Sequence, residues 1–110
     1  MKFALAVHGG AGTISKELMT SSREQAYHST LELALTRGQE ILSKGGAALD
    51  AVEVAVRVME DSPLFNAGRG SVFNADGQHE MDASLMNGSD LKAGAVAGVQ
   101  NVKNPIGLAR

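Results

Sequence analysis

Two glycine-rich stretches hold most of the residues whose types and spacing could do chemistry. The first is His8-Gly9-Gly10-Ala11-Gly12. Successive glycines let main-chain amides face one point, and such a concavity suits an anion or another ligand. A dinucleotide fingerprint is excluded, because G-x-G-x-x-G must open a helix directly. Here Thr13-Ile14-Ser15 follow, with no helix signal for several residues. A His-Gly-Gly oxyanion loop of the α/β-hydrolase kind needs a G-x-S-x-G elbow, and the sequence has none. The motif alone leaves a loop lining some other active site, a small-anion site on the amides of residues 9–12, or a tight structural turn. The second stretch is Phe65-Asn66-Ala67-Gly68-Arg69-Gly70. Irregular backbone of this kind can fold carbonyl oxygens around a hard cation. Asn66 adds a short amide that both donates and accepts. A plain helix-to-strand connection would use the same residues.

The remaining chemically able groups are sparser. His8, His28 and His79 lack metal-ligand spacing, and His28 falls on a helix surface. Glu80 and Asp82 share one face of an expected strand, the placement that paired carboxylates need. Acids alternating along a wet strand face are ordinarily just solvated. No Ser/His/Asp arrangement is legible. With no Cys there is no thiol nucleophile, thiolate metal site or disulfide.

The elements that must position these residues follow from the apolar pattern. Residues 3–7 (Phe-Ala-Leu-Ala-Val) form a continuous apolar run before the glycines, which predicts a strand buried on both faces. Ser21 or Ser22 opens a helix running to about Lys44, with capping-box spacing to Glu24 or Gln25. Tyr27, Leu31, Ala34, Leu35, Ile41 and Leu42 give it one apolar stripe. Gly38, inside that helix, marks a close crossing, and Gly45-Gly46 ends it. A second helix from about Ala47 to Asp61 is apolar nearly all round and should be largely buried. Period-2 patterning follows. Residues 71–73 read as a short strand, and 74–77 (Asn-Ala-Asp-Gly) as a hairpin turn. In residues 80–86, Met81, Ala83 and Leu85 lie on one face and Glu80, Asp82 and Ser84 on the other. After a turn at 87–90, residues 91–99 form a small-residue strand that another layer can approach closely. Asn104-Pro105 is a helix start with Pro at the first position.

Length and composition bound the class. The chain has 110 residues, 44% of them hydrophobic and 20% charged, which describes one globular domain rather than a disordered segment. A formal net charge of −2 gives no electrostatic footprint for nucleic acid. No apolar run approaches the roughly 20 residues of a membrane span. The run at 3–7 is too short for a signal-peptide core, so the expected compartment is the cytoplasm. The last helical turn, residues 106–110, is too short to hold as a helix alone. This predicts a segment of a longer protein, with a short irregular tail as the other reading.

Taken together and in order, these stretches resemble the plant-type asparaginase and isoaspartyl peptidase family of N-terminal nucleophile hydrolases. The matching stretches are residues 6–12, 48–52, 63–72, 80–88 (Glu-Met-Asp-Ala-Ser-Leu-Met-Asn-Gly), 92–99 and 104–106. The resemblance covers essentially the whole chain and implies an α+β fold, the N-terminal portion of an αββα sandwich. Residues 1–110 would be a single partial domain, the first part of an α subunit. Family members are made as a precursor that cuts itself before a Thr. That Thr then attacks the side-chain amide of asparagine, or the β-linked bond of an isoaspartyl dipeptide, with its own α-amine as base. The resemblance places the Thr, the oxyanion donors and the substrate clamp downstream of residue 110, so the chain by itself should be inactive.

The resemblance also assigns roles within the chain. Asn66 sits where the family places an Asn beside the nucleophile. Gly9 sits in the glycine loop near that Thr. Main-chain oxygens of Met59, Glu60, Ser62, Phe65, Ala67 and Arg69 match a structural sodium-binding loop. No other cofactor is implied. The implied partners are a β subunit and a second αβ unit, with no nucleic acid and no membrane. A non-enzymatic docking or assembly module is the alternative.

Overall fold

The structure, a computed structural model, describes residues 2–12 and 14–110. Its elements in chain order are α1 (Ser21–Ser43), α2 (Ala48–Glu60), a 3-10 turn (Gly68–Gly70), β1 (Met81–Met86), β2 (Ala93–Val99) and α3 (Pro105–Ala109). The chain is thus α+β, with a helical pair on one side and a hairpin carrying α3 on the other.

The N-cap of helix α1 lies one residue before the predicted one. Thr20 is the N-cap, and its Oγ1 accepts from the Arg23 amide at 3.1 Å. The C-terminus closes as expected at Gly45-Gly46. The Gly45 and Gly46 amides donate to Leu42 and Ile41 carbonyls, and Gly45 takes φ +79°. Helices α1 and α2 meet through small residues, with Ala34, Gly38, Ala51 and Ala55 all buried. A Cβ on Gly38 would lie 2.6 Å from Leu5 Cδ2 and 3.2 Å from the Ala51 carbonyl oxygen, so glycine lets the two helices cross closely here.

Three expectations are corrected. Residues 3–7 run beside α1 and α2 but join no ladder among the described residues, and Phe3 is exposed. An apolar run becomes a strand only when a partner takes its amides and carbonyls. Residues 71–73 are likewise irregular, although the turn after them forms, with Asn74 Oδ1 accepting from the Asp76 and Gln78 amides at 2.9 Å. Helix α2 is half-buried rather than largely buried, and Val52 is exposed. Neither α1 nor α3 covers that face.

Strands β1 and β2 pair antiparallel, and β1 alternates as predicted, with Met81, Ala83 and Leu85 half-buried. Between Met81↔Val99 and Ala83↔Val96, β2 carries an extra residue. Asp82 Oδ1 accepts the Gly98 amide at 2.8 Å there, replacing a lost ladder bond. The small residues of β2 admit a close layer: a Cβ on Gly94 would collide with the Ala109 carbonyl oxygen of α3.

Helix α3 is held to α2 by a polar network. Arg57 Nε and Nη2 donate to Glu53 Oε1 at 3.2 and 3.1 Å, and Arg110 Nη1 donates to Glu53 Oε2 at 2.7 Å. The Arg110 guanidinium, with Arg57 adding, holds the Glu53 carboxyl below its ordinary value of 4.5, against the opposing pull of partial burial. A depressed folded-state value makes this contribution complete above pH 4.5, the unfolded value, and lost as pH falls through the folded value. Stability measured by urea unfolding should therefore decline as pH drops below 4.5. Glu53→Gln should be less stable at neutral pH and show a shallower acid decline. An unchanged acid profile in that variant would contradict the network's role.

Candidate functional site

The two glycine-rich stretches come together in space through one aromatic ring. Phe65 is buried and meets Tyr27 of α1 in a T-shaped contact, with ring centroids 5.7 Å apart at 88°. A Cβ on Gly9 would lie 3.0 Å from Phe65 Cε1 and 3.5 Å from Leu31 Cδ2. The glycine loop therefore rests on the residue immediately before Asn66. Gly10 takes φ +128° with open space around it.

Asn66 is exposed on the connection leaving α2. Its Oδ1 accepts the Val72 amide at 3.0 Å, which fixes the amide's orientation and leaves Nδ2 to donate outward. It lines a cleft of about 230 Å³ with Glu60, Ser71, Glu80 and Asp82. Glu80 and Asp82 are each engaged by a separate donor. Asp82 is committed to Gly98, and Glu80 Oε1 accepts from Gln100 Nε2 at 3.4 Å. Ser71 Oγ lies 3.1 Å from His79 Nδ1, and the His79 ring packs on Phe73 at 4.3 Å. His28 sits on the exposed face of α1, 3.9 Å from Glu24. Among the described residues no cluster of His, Asp or Glu has metal-site geometry.

The connection from 59 to 70 is wound tightly by its own backbone. The Ser62 amide donates to Met59 O at 3.2 Å, Ala67 to Phe65 O at 2.8 Å and Gly70 to Ala67 O at 3.1 Å. Gly68 takes φ +52°, and a Cβ there would collide with the Glu60 carbonyl oxygen. At Gly70 a Cβ would meet the carbonyl oxygens of Phe65 and Pro63, the latter at 2.7 Å. The two glycines thus let the main-chain oxygens of Glu60, Phe65 and Pro63 approach the backbone more closely than a side chain would allow. All of them are hard oxygen donors, the chemistry a Na⁺ ion takes.

Glu60 has a second role that the sequence reading missed. Glu60 is 3% exposed, yet no buried side-chain nitrogen or oxygen among the described residues lacks a partner. Glu60 Oε1 accepts the Ile106 amide at 2.9 Å, and Oε2 accepts Asn104 Nδ2 at 3.1 Å. The glutamate thus caps the start of α3, where Asn104 makes no side-chain cap bond of its own. No local signal in the sequence sets Glu60 apart from the other charged residues of α2, Asp50, Glu53 and Arg57.

The sequence profile described as asparaginase matches residues 1–110. An isoaspartyl peptidase of Escherichia coli K12 is 50% identical over 109 residues, covering 99% of this chain and 34% of the relative. A plant-type L-asparaginase of Pyrococcus furiosus is 55% identical over 107 residues, 97% of this chain and 33% of the relative. The human isoaspartyl peptidase/L-asparaginase is 55% identical over 105 residues, 94% of this chain and 32% of the relative. The chain spans about a third of the length of the curated relatives it matches. A family profile that matches all 110 residues, beside relatives 50–55% identical over 94–99% of the chain, shows that the chain belongs to the asparaginase family.

Proposed function

We propose that this chain is the first third of a self-processing threonine hydrolase. The complete enzyme would cleave the side-chain amide of L-asparagine and β-aspartyl dipeptides to release L-aspartate, in the cytoplasm. The observation that carries the reading is the Gly9 loop resting on Phe65, beside Asn66, in a chain of this family. In the complete enzyme residues 1–110 would be a partial domain of an αββα sandwich. The nucleophilic Thr would come from the remaining two thirds, and two αβ units would pair.

The chain's own contribution is positional. Val72 fixes Asn66 Oδ1, so the Nδ2 hydrogens are free to donate to a neighbouring hydroxyl oxygen and hold it for attack. A glycine loop without Cβ atoms lets a nucleophile approach the main chain closely. The oxygens of Met59, Glu60, Ser62, Phe65, Ala67 and Arg69 would hold Na⁺, whose charge gathers the carbonyls and stiffens the connection. Replacing Na⁺ by choline at constant ionic strength should lower the thermal midpoint, by the linkage that any native-state ligand exerts. A midpoint indifferent to the exchange would remove sodium from this account.

Val72, Phe73, Met86 and Leu91 are exposed, and apolar surface of this kind favours a covering partner. A docking module without catalysis is the second reading, and it predicts binding to that partner with no gain of activity. Purified residues 1–110 should release no aspartate from a β-aspartyl dipeptide. Release by the chain alone would overturn the assignment of the nucleophile to the missing part.

A further inference from the structure

The turn joining β1 to β2 contains the chain's one Asn-Gly pair, Asn87-Gly88. The Gly88 amide donates to no protein group among the described residues. Nothing lies within 4 Å of the position a Gly88 Cβ would occupy. Asn87 Oδ1 accepts two bonds from Ser89, one from its amide at 3.2 Å and one from its hydroxyl at 3.0 Å. A free amide nitrogen thus follows a side-chain carbonyl that two donors polarise. Those donors sit where oxygen gains charge when a nucleophile adds to that carbonyl, the arrangement of an oxyanion hole.

We propose that Asn87 is a self-modification site, with Ser89 as the group that promotes the reaction. The Gly88 nitrogen bonds to Asn87 Cγ, and the Cγ–Nδ2 bond breaks. Ammonia leaves with the proton that Gly88 gives up. The product is a five-membered imide. Water then opens it at the former side-chain carbonyl to give aspartate, or at the main-chain carbonyl to give isoaspartate. Either product adds one negative charge. Aspartate keeps the hairpin closure, in which Asn87 donates to Lys92 O at 2.9 Å and Leu91 donates to Asn87 O at 2.8 Å. Isoaspartate inserts one methylene between those two anchors.

The other asparagines lack this combination. Asn66, Asn74 and Asn101 precede residues with a Cβ, and Asn104 precedes a proline with no amide proton. At Asp76-Gly77 the Gly77 amide is tied to Asn74 O at 3.0 Å. The inference is independent of the proposed function.

The test is peptide mass mapping of the 110-residue chain, incubated in mildly alkaline buffer with and without urea. In native buffer Asn87 should convert to aspartate and isoaspartate, and Gly88→Ala should suppress the conversion. Ser89→Ala should slow the native rate about threefold, the effect of one exposed hydrogen bond, without slowing it in urea. Ser89→Thr, which keeps a hydroxyl, should restore the native rate. Asn87 surviving in native buffer while the urea sample loses it would overturn the proposal. So would a Ser89→Ala effect of equal size in both conditions.

Discussion

Gly68→Ala should destabilise the chain by about 3 kcal/mol. A left-handed φ of +52° accounts for about 1–2 kcal/mol of that once a Cβ is present. The rest comes from contact with main chain. The new methyl would collide with the Glu60 carbonyl oxygen and lie 2.9 Å from its carbonyl carbon, at the end of α2. A flexible side chain could move aside, but a helix terminus cannot without losing its last turn. The measurement is the urea midpoint of Gly68→Ala beside Gly77→Ala. Gly77 also has positive φ, at +74°, but nothing within 4 Å of a Cβ. The second variant should lose only the backbone strain. Equal losses would show that the 59–70 connection is not closed against α2.

Glu60→Ala should cost about 3 kcal/mol as well, by a different route. It orphans the Ile106 amide, and Ile106 is 3% exposed. A buried donor left unsatisfied costs about 1–3 kcal/mol, and the vacated volume adds to it. Asn104 Nδ2 retains Asp61 Oδ1 at 3.0 Å, so its loss is smaller. Glu60→Gln should cost less, about 1 kcal/mol, because one acceptor remains for Ile106 while the new amide meets the Asn104 amide donor to donor. Amide exchange at Ile106 reports the break directly. Full protection in Glu60→Ala would show that α3 docks through its apolar side alone.

These two residues also mark where the sequence was legible and where it was not. Helix α1 could be placed to within a residue, because its apolar stripe, the Ser21-Ser22 pair with capping-box spacing and Gly45-Gly46 are local signals. Gly38 was readable as a crossing because nothing else explains a glycine in mid-helix. The face pattern of β1 was readable for the same local reason. Residues 3–7 were not, since the ladder that makes a strand depends on a distant partner. Glu60 was read only for its main-chain oxygen. Its carboxyl function lies 46 residues away, at Ile106, and no spacing rule reaches that far. Phe65 likewise entered as a carbonyl donor. Its ring, wedged between Tyr27 and Gly9, is what brings the two glycine-rich stretches together.

The central claim is that these 110 residues form the first third of a threonine hydrolase. The most direct measurement replaces the matching first third of the Escherichia coli isoaspartyl peptidase with this chain, at 50% identity over 109 residues. The purified chimera is followed for self-cleavage by mass and for aspartate release from a β-aspartyl dipeptide. The account predicts a two-subunit product that releases aspartate, beside an isolated chain that releases none. A chimera that folds, stays uncut and releases no aspartate would contradict it.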